Sequence, residues 1–386
     1  MKRPVVLVTG ASGFLGGRLV ECLLAEGRYA VRAMARTPGR AVRLARRAID
    51  IVWADLMDQE QVQNAVRGAD IVVHCAYGAD AVRERDVTVR GTHILAKLAR
   101  DEGVRRFIHI STIAVFSYTP PPKVTEETPM IRSGDPYCDA KIDAELEVRK
   151  TLPDAVILRL GNVYGPFSAP WTVRPLTHIR EGKVTLVDNG EADANAVYVD
   201  NAVSAIIAAF EAPSATGECF FVTDEPLSWR EWYGKYAEWL GLPLRSATRE
   251  QIRSIIEPGI RDHVVAWKKE IWDGIVLPTV RYAAFRAAVA PRLGPALSSL
   301  WARVPPSLRE RIVGDPLGRS VPSATQPLVE DAPYPSAGLL SIYAGRTRFD
   351  NSKLKNILGW RPRLRFAEAI SRTRAWAEWA RLIPQQ

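Results

Sequence analysis

The sequence predicts an α/β protein built on a doubly wound parallel sheet, and three observations carry that expectation. Apolar, β-branched runs alternate with amphipathic stretches over residues 1–160, most runs are apolar on both faces, and the first leads straight into a glycine-rich turn, TGASGFLG at 9–16. Runs that are apolar on both faces suit strands covered by helices above and below, which is the setting of a parallel sheet with crossover connections.

In chain order the strands read PVVLVT (4–9), YAVRAM (29–34), IDIVWA (49–54), DIVVHC (70–75), RRFIHIS (105–111) and AVILRL (155–160). Between them FLGGRLVECLLAEG, DQEQVQNAVRG and TVRGTHILAKLARDEG carry helical periodicity. Past residue 160 the pattern mixes, with loops such as YGPFSAP and one further strand-helix unit, AVYVDNAVSAIIAAF at 196–210, which is expected to return to the core. Residues 245–335 are rich in Arg and Ala, broken by Pro and without strand alternation, so a helical insertion or cap is expected there. Order returns in SKLKNILG, a short helix ended by Gly359. The expected division is a dinucleotide-binding core at 1–165 and a smaller, mostly helical substrate-binding part at 166–386.

Composition narrows the function classes. The 47% apolar content of 386 residues supports a sizeable soluble core. The net charge of +9 is spread along the chain and forms no Lys-rich tail, so no nucleic-acid partner is expected. Cys22, Cys75, Cys138 and Cys219 lie far apart, with no metal-ligand or disulfide-framework spacing, and point to a reducing, cytoplasmic setting. MKRPVVLVTG runs directly into the glycine turn and reads as strand one, and no run reaches the roughly 18 apolar residues of a membrane span. His74, His93, His109 and His178 do not match a ligand set, and Trp229, Trp232 and Trp239 fit helix packing.

A strand followed by Gly10, Gly13, Gly16 and a helix lets backbone approach a pyrophosphate at a helix N-terminus. Gly10 allows the tight turn, Gly13 removes a side chain where phosphate comes close, and Gly16 lets helix pack on strand. The turn therefore predicts a Rossmann-type site for a dinucleotide. Where an NAD site carries an acid at the end of strand two, this chain has Ala35 and then Arg36, with Arg32 and Arg40 nearby. A guanidinium there suits a 2′-phosphate, so NADP is the preferred cofactor and NAD the alternative.

YCDAK, 137–141, opens a helical stretch and places Tyr137 and Lys141 on one face. A tyrosine exchanges protons near neutrality only if its pKa falls from about 10. One cation about 4 Å away at an effective dielectric near 20 contributes on the order of 4 kcal/mol, about three pK units, which is enough.

TGASGFLG, VVHCA, HISTIAVF and YCDAK occur in one order, and ADL (54–56), RLGNVYGP (159–166), VYVDNAVSA (197–205) and FDNSKLKNILGW (349–360) follow as further landmarks. That order resembles the extended short-chain dehydrogenase/reductase superfamily over nearly the whole chain, with its NAD-dependent epimerase/dehydratase and 3β-hydroxysteroid dehydrogenase-like members. The resemblance implies Tyr137 as general acid/base, Lys141 lowering its pKa and holding the nicotinamide ribose, and Thr112 bonding the reacting oxygen, with Ser111 the runner-up. It implies that Ser12, Phe14 and Leu15 line the cofactor beside the glycines, that Asp55 and Leu56 lie by the adenine, and that Ala76 and Val163 run along the cofactor. Asn162 is the implied substrate contact. Three departures stand out: TVRGT has Thr88 where the family has an asparagine supporting the active-site loop, and Ala194 and Asn195 replace an Arg-Asp pair that grips a sugar-nucleotide phosphate in many members. Arg346 or Arg348 could supply that charge.

The expected activity is hydride transfer between a nicotinamide and a secondary alcohol or ketone carbon in a small molecule, in a chain that could pair as a homodimer. The alternative is a nucleotide-sugar epimerase or dehydratase. A dinucleotide-binding regulator without turnover is disfavoured because both Tyr137 and Lys141 are present.

Residues 280–313 carry six arginines against Glu310, with Tyr282, Phe285, Val289 and Leu293 at helical spacing on one face. The pattern suits either a lid over the substrate or peripheral docking at the anionic inner face of a membrane. Docking predicts that the protein pellets with anionic liposomes at low salt and that Arg281, Arg286 and Arg292 changed to Gln abolish this. A protein that stays in the supernatant leaves the lid.

Overall fold

The computed structural model describes residues 3–78, 84–256, 335 and 337–385. The chain divides into two compact units, residues 1–247 with 338–386, and residues 248–337. The second unit contributes a helix, α8 (Arg249–Ile256), opened by a capping box in which Thr248 and Gln251 bond each other's backbone amides at 3.2 and 2.8 Å. Most of the expected insertion and all of 280–313 lie outside the described residues. Among the described residues no helix is long and apolar enough to cross a membrane.

The first unit is built on a sheet of seven parallel strands: β1 (Val5–Thr9), β2 (Ala30–Ala35), β3 (Asp50–Trp53), β4 (Ile71–His74), β5 (Arg106–Thr112), β6 (Val156–Leu160) and β10 (Cys219–Val222), in the order β3-β2-β1-β4-β5-β6-β10. This is the doubly wound Rossmann-like sheet that the alternating runs predict. Two small sheets complete the strands: β7 (Asn162–Tyr164) with β9 (Ala196–Tyr198), and β8 (Thr185–Val187) with β11 (Arg245–Ala247).

Strand alternation sends Leu7, Val72 and Phe107 to one face, where they join α2 (Gln59–Val66), α3 (Glu84–Asp101) and α4 (Pro136–Thr151). Val6, Val8, Val73, Ile108 and Leu158 form the opposite core with α1 (Phe14–Glu26) and α6 (Val199–Glu211). The 196–210 unit thus returns to the core through its helix, while its strand pairs with β7 away from the central sheet. The C-terminal part is mainly helical, with α5 (Arg174–Arg180), α7 (Trp229–Leu240), α9 (Ala337–Ala344), α10 (Ser352–Leu358) and α11 (Phe366–Trp379). Trp229 and Trp232 are buried in it among Tyr233, Tyr236 and Trp171.

Two polar anchors position the site. Asn201 of α6 accepts from the Arg363 and Leu364 amides at 3.0 Å and donates to Asp224 and the Leu364 carbonyl at 2.9 Å, and Trp360 donates to Ser204 at 2.8 Å. The landmarks VYVDNAVSA and FDNSKLKNILGW are therefore bonded to each other through Ser204 and Trp360. The second anchor fixes α4. Asp135 caps its first turn by accepting from the Cys138 amide at 2.9 Å, and two turns in, the fully buried Glu145 takes Arg159 of β6 at 2.5 and 3.2 Å and the Ser111 hydroxyl of β5 at 2.9 Å. Glu145→Ala leaves the Arg159 cation buried without its partner, so denaturant unfolding at neutral pH should show a loss of about 3–5 kcal/mol. A loss below about 1 kcal/mol would mean that the pair does not hold the helix.

Candidate active site

β1 ends at Thr9 and the chain reverses at Gly10, whose φ is 65°. A Cβ at Gly10 would lie 2.8 Å from the Ala76 amide nitrogen, so only glycine lets the turn pass the end of β4. The Gly13 amide donates to the Gly10 carbonyl at 2.9 Å, and a Cβ at Gly16 would fall 2.4 Å from that same carbonyl oxygen. Gly16 thus seats α1 on the turn. Gly13 is the N-cap, with no side-chain cap bond and no acidic residue in the first turn, and Ser12, Gly13, Phe14 and Leu15 keep solvent-facing surface. Amides at the positive end of a helix, without a local anion, suit a pyrophosphate.

A hydrogen-bonded chain fixes the loop after β4. The Thr88 carbonyl can only accept, so the Thr92 hydroxyl donates to it at 2.5 Å and must accept from His74 Nε2 at 2.8 Å. His74 Nδ1 then accepts from the Thr9 hydroxyl at 2.8 Å, which in turn accepts from the Ala76 amide at 3.3 Å. Burial pushes the imidazole down to about 3, with the nearby Lys141 charge acting in the same direction, so the ring stays neutral. Thr88 also accepts from the Gly78 amide at 3.0 Å. The hydroxyl therefore does support this loop from the position where the family carries asparagine.

Around the expected adenine end, Arg36 is exposed just beyond β2. Arg32 is committed elsewhere, to Asp50 at 2.9 Å and to the Ala65 and Arg67 carbonyls at 2.9 and 2.8 Å, which corrects its expected place beside a 2′-phosphate. The side chain of Arg40 lies outside the description. Asp55 closes a turn by accepting from the Met57 amide at 3.0 Å, and Leu56 is buried against Gly91, where a Cβ would stand 2.9 Å from its own.

Tyr137 stands half-buried in the first turn of α4. One turn on, Lys141 is buried and its ammonium donates to the Ile110 carbonyl of β5 at 2.7 Å. Burial pulls the lysine down to about 8, while Glu145, one further turn along, pulls the other way. Ser111 and Thr112 point to opposite faces of β5. The Ser111 hydroxyl is buried and donated to Glu145, whereas Thr112 is half-exposed at the strand end and accepts from the Ala114 amide at 3.2 Å.

One tyrosine that the sequence did not single out stands beside Tyr137: Tyr77 meets its ring edge-on, centroids 6.0 Å apart at 73°. Nothing in its local sequence marks it, because only folding brings the two segments together. On the expected substrate side, Val163 is half-buried in β7 and the Asn162 amide donates to the Ala194 carbonyl at 2.7 Å. Asn195 donates to the Thr347 carbonyl at 2.8 Å and accepts from the Phe349 amide at 2.9 Å. It thereby holds an extended segment from which Arg346 and Arg348 approach Asp188 and Asp193, each at 3.7 Å.

Comparison with known proteins agrees with this geometry. The chain is 33% identical over 257 residues to a 3-diazoavenalumate denitrifying reductase of a Streptomyces species, covering 62% of this chain and 82% of that one. It is 30% identical over 260 residues to a UDP-glucose 4-epimerase of Mycolicibacterium smegmatis, covering 61% and 83%. In fold it matches the dTDP-glucose 4,6-dehydratase DesIV of Streptomyces venezuelae, solved with NAD and TYD bound, with a TM-score of 0.62, 21% identity and 98% of each chain covered. The family model for NAD dependent epimerases and dehydratases matches residues 6–222, and the chain belongs to that family, within the extended short-chain dehydrogenase/reductase superfamily.

Proposed function

We propose that the protein is an NADP-dependent oxidoreductase acting on a secondary alcohol or ketone. The observation that carries this reading is Lys141, a buried cation one helical turn from Tyr137 and bonded to β5 two residues before Thr112. When bound, the nicotinamide supplies or accepts the hydride. The chain's own groups handle the proton. Tyr137 gives its phenolic proton to the oxygen on the reacting carbon, or takes it back in the oxidation direction, and the Thr112 hydroxyl bonds that oxygen. Lys141 favours the phenolate by its charge, and one of its three N–H donors is spent on Ile110, which fixes the ammonium while others reach the ribose hydroxyls. The turn at Gly10–Gly16 receives the pyrophosphate, Arg36 the 2′-phosphate, Asp55 and Leu56 flank the adenine, and Ala76 and Val163 border the rest of the cofactor.

The family also supports a nucleotide-sugar epimerase or dehydratase, in which the hydride returns to the same substrate. Against it, the position of the phosphate-gripping arginine is occupied by the Ala194 and Asn195 pair, and the Asn195 amide is spent on backbone. Arg346 and Arg348 each already stand near an aspartate. NADPH oxidation across a ketone panel, beside a sugar-nucleotide panel analysed for isomerised product, separates the two.

Two outcomes test the assignments. Tyr137→Phe keeps the ring and removes the proton, so turnover should fall by at least about a hundredfold while cofactor affinity is kept; near-normal turnover would remove Tyr137 from the chemistry. NADPH should bind at least about tenfold tighter than NADH, a modest demand on one charge-assisted phosphate contact, and Arg36→Ala should erase the difference in a calorimetric titration. Equal affinities in the unmodified protein would overturn the NADP assignment.

A further inference from the structure

Tyr77 combines features that a surface tyrosine seldom has together. Its residue is 51% exposed, yet the backbone on either side is pinned, the Ala76 amide to the Thr9 hydroxyl at 3.3 Å and the Gly78 amide to the Thr88 hydroxyl at 3.0 Å. Both threonines belong to the network that runs through His74, Thr9 by its hydroxyl and Thr88 by its carbonyl, which accepts from Thr92. A large ring is therefore presented on a rigid mount while half of its surface stays uncovered. The ring also sits edge-on to Tyr137, at 6.0 Å between centroids.

The edge-on rings of Tyr77 and Tyr137 form a wall beside the proton donor that is apolar on the ring faces and polar only at the hydroxyl tips. A planar aromatic group gains quadrupole-ordered contact from such a wall, whereas a saturated group of the same size gains only covered area. We infer that the substrate carries an aromatic ring beside its reacting carbon and that Tyr77 determines this specificity. The inference rests on the oxidoreductase reading for its chemistry. In the reduction of an aryl ketone the hydride of NADPH forms the new C–H bond, the C=O π pair moves to oxygen, and that oxygen takes the Tyr137 proton, giving the aryl alcohol and NADP⁺.

The test is binding to the NADP⁺-loaded protein, measured calorimetrically for acetophenone and for cyclohexyl methyl ketone, which differ in the ring alone. Tyr77→Leu should weaken acetophenone about fivefold and change the cyclohexyl ketone less than twofold, and Tyr77→Phe should bind both as the unmodified protein does. Equal weakening of the two ketones, no weakening of either, or failure of the unmodified protein to bind acetophenone overturns the inference. NADPH oxidation is followed in parallel. Ring-selective binding without any oxidation would sink the oxidoreductase reading while leaving the aromatic site in place.

Discussion

The buried carboxylate of Glu145 is the constraint on which the site depends. Tyr137, Lys141 and Glu145 recur every fourth residue and so lie along one stripe of α4. Glu145 bonds β5 through Ser111 and β6 through Arg159, which sets both the rotation and the axial position of the helix over the sheet. A slip of one residue would turn the stripe by about 100° and leave an ion pair broken in the interior. Arg159 extends the constraint to the loop ahead of α4 by donating to the Glu126 carbonyl at 2.9 Å.

The same carboxylate acts electrostatically on the site. Burial alone would drive the Lys141 ammonium toward its neutral form, and Glu145 opposes this from one turn away. The opposing effects act on an ammonium fixed against the Ile110 carbonyl, one helical turn from Tyr137. The ion pair that looks like scaffolding is thus part of the electrostatics of the site.

The other half of the site rests on backbone proximity. The Gly10 turn passes the end of β4 closer than any side chain allows, and the neutral His74 bonds β1 to α3 across that contact. A neutral imidazole with both nitrogens engaged fixes the Thr9 and Thr92 hydroxyls in direction. Thr9 holds the Ala76 amide directly, and Thr92 bonds the carbonyl of Thr88, whose hydroxyl holds the Gly78 amide of the loop that carries Tyr77. Aryl recognition and cofactor binding would then share one support.

The sequence alone determined the sheet, the glycine turn and the placing of Tyr137 and Lys141 one turn apart on a helix, because strand periodicity, glycine spacing and an i,i+4 pair are local signals. β10 escaped it: CFFV is four buried residues with no alternation, and only pairing with β6 makes it a strand of the central sheet. Arg32 escaped in the opposite way, since its position beside Arg36 says nothing of Asp50 and the end of α2, which take its guanidinium. The choice between Ser111 and Thr112 left two adjacent hydroxyls. The tertiary structure distinguishes them, because neighbouring residues of a strand face opposite sides and only one side holds Glu145. Tyr77 was invisible for a related reason. Its meaning lies in a ring contact with Tyr137, far away in the chain, and such a contact exists only once the helices have packed on the sheet.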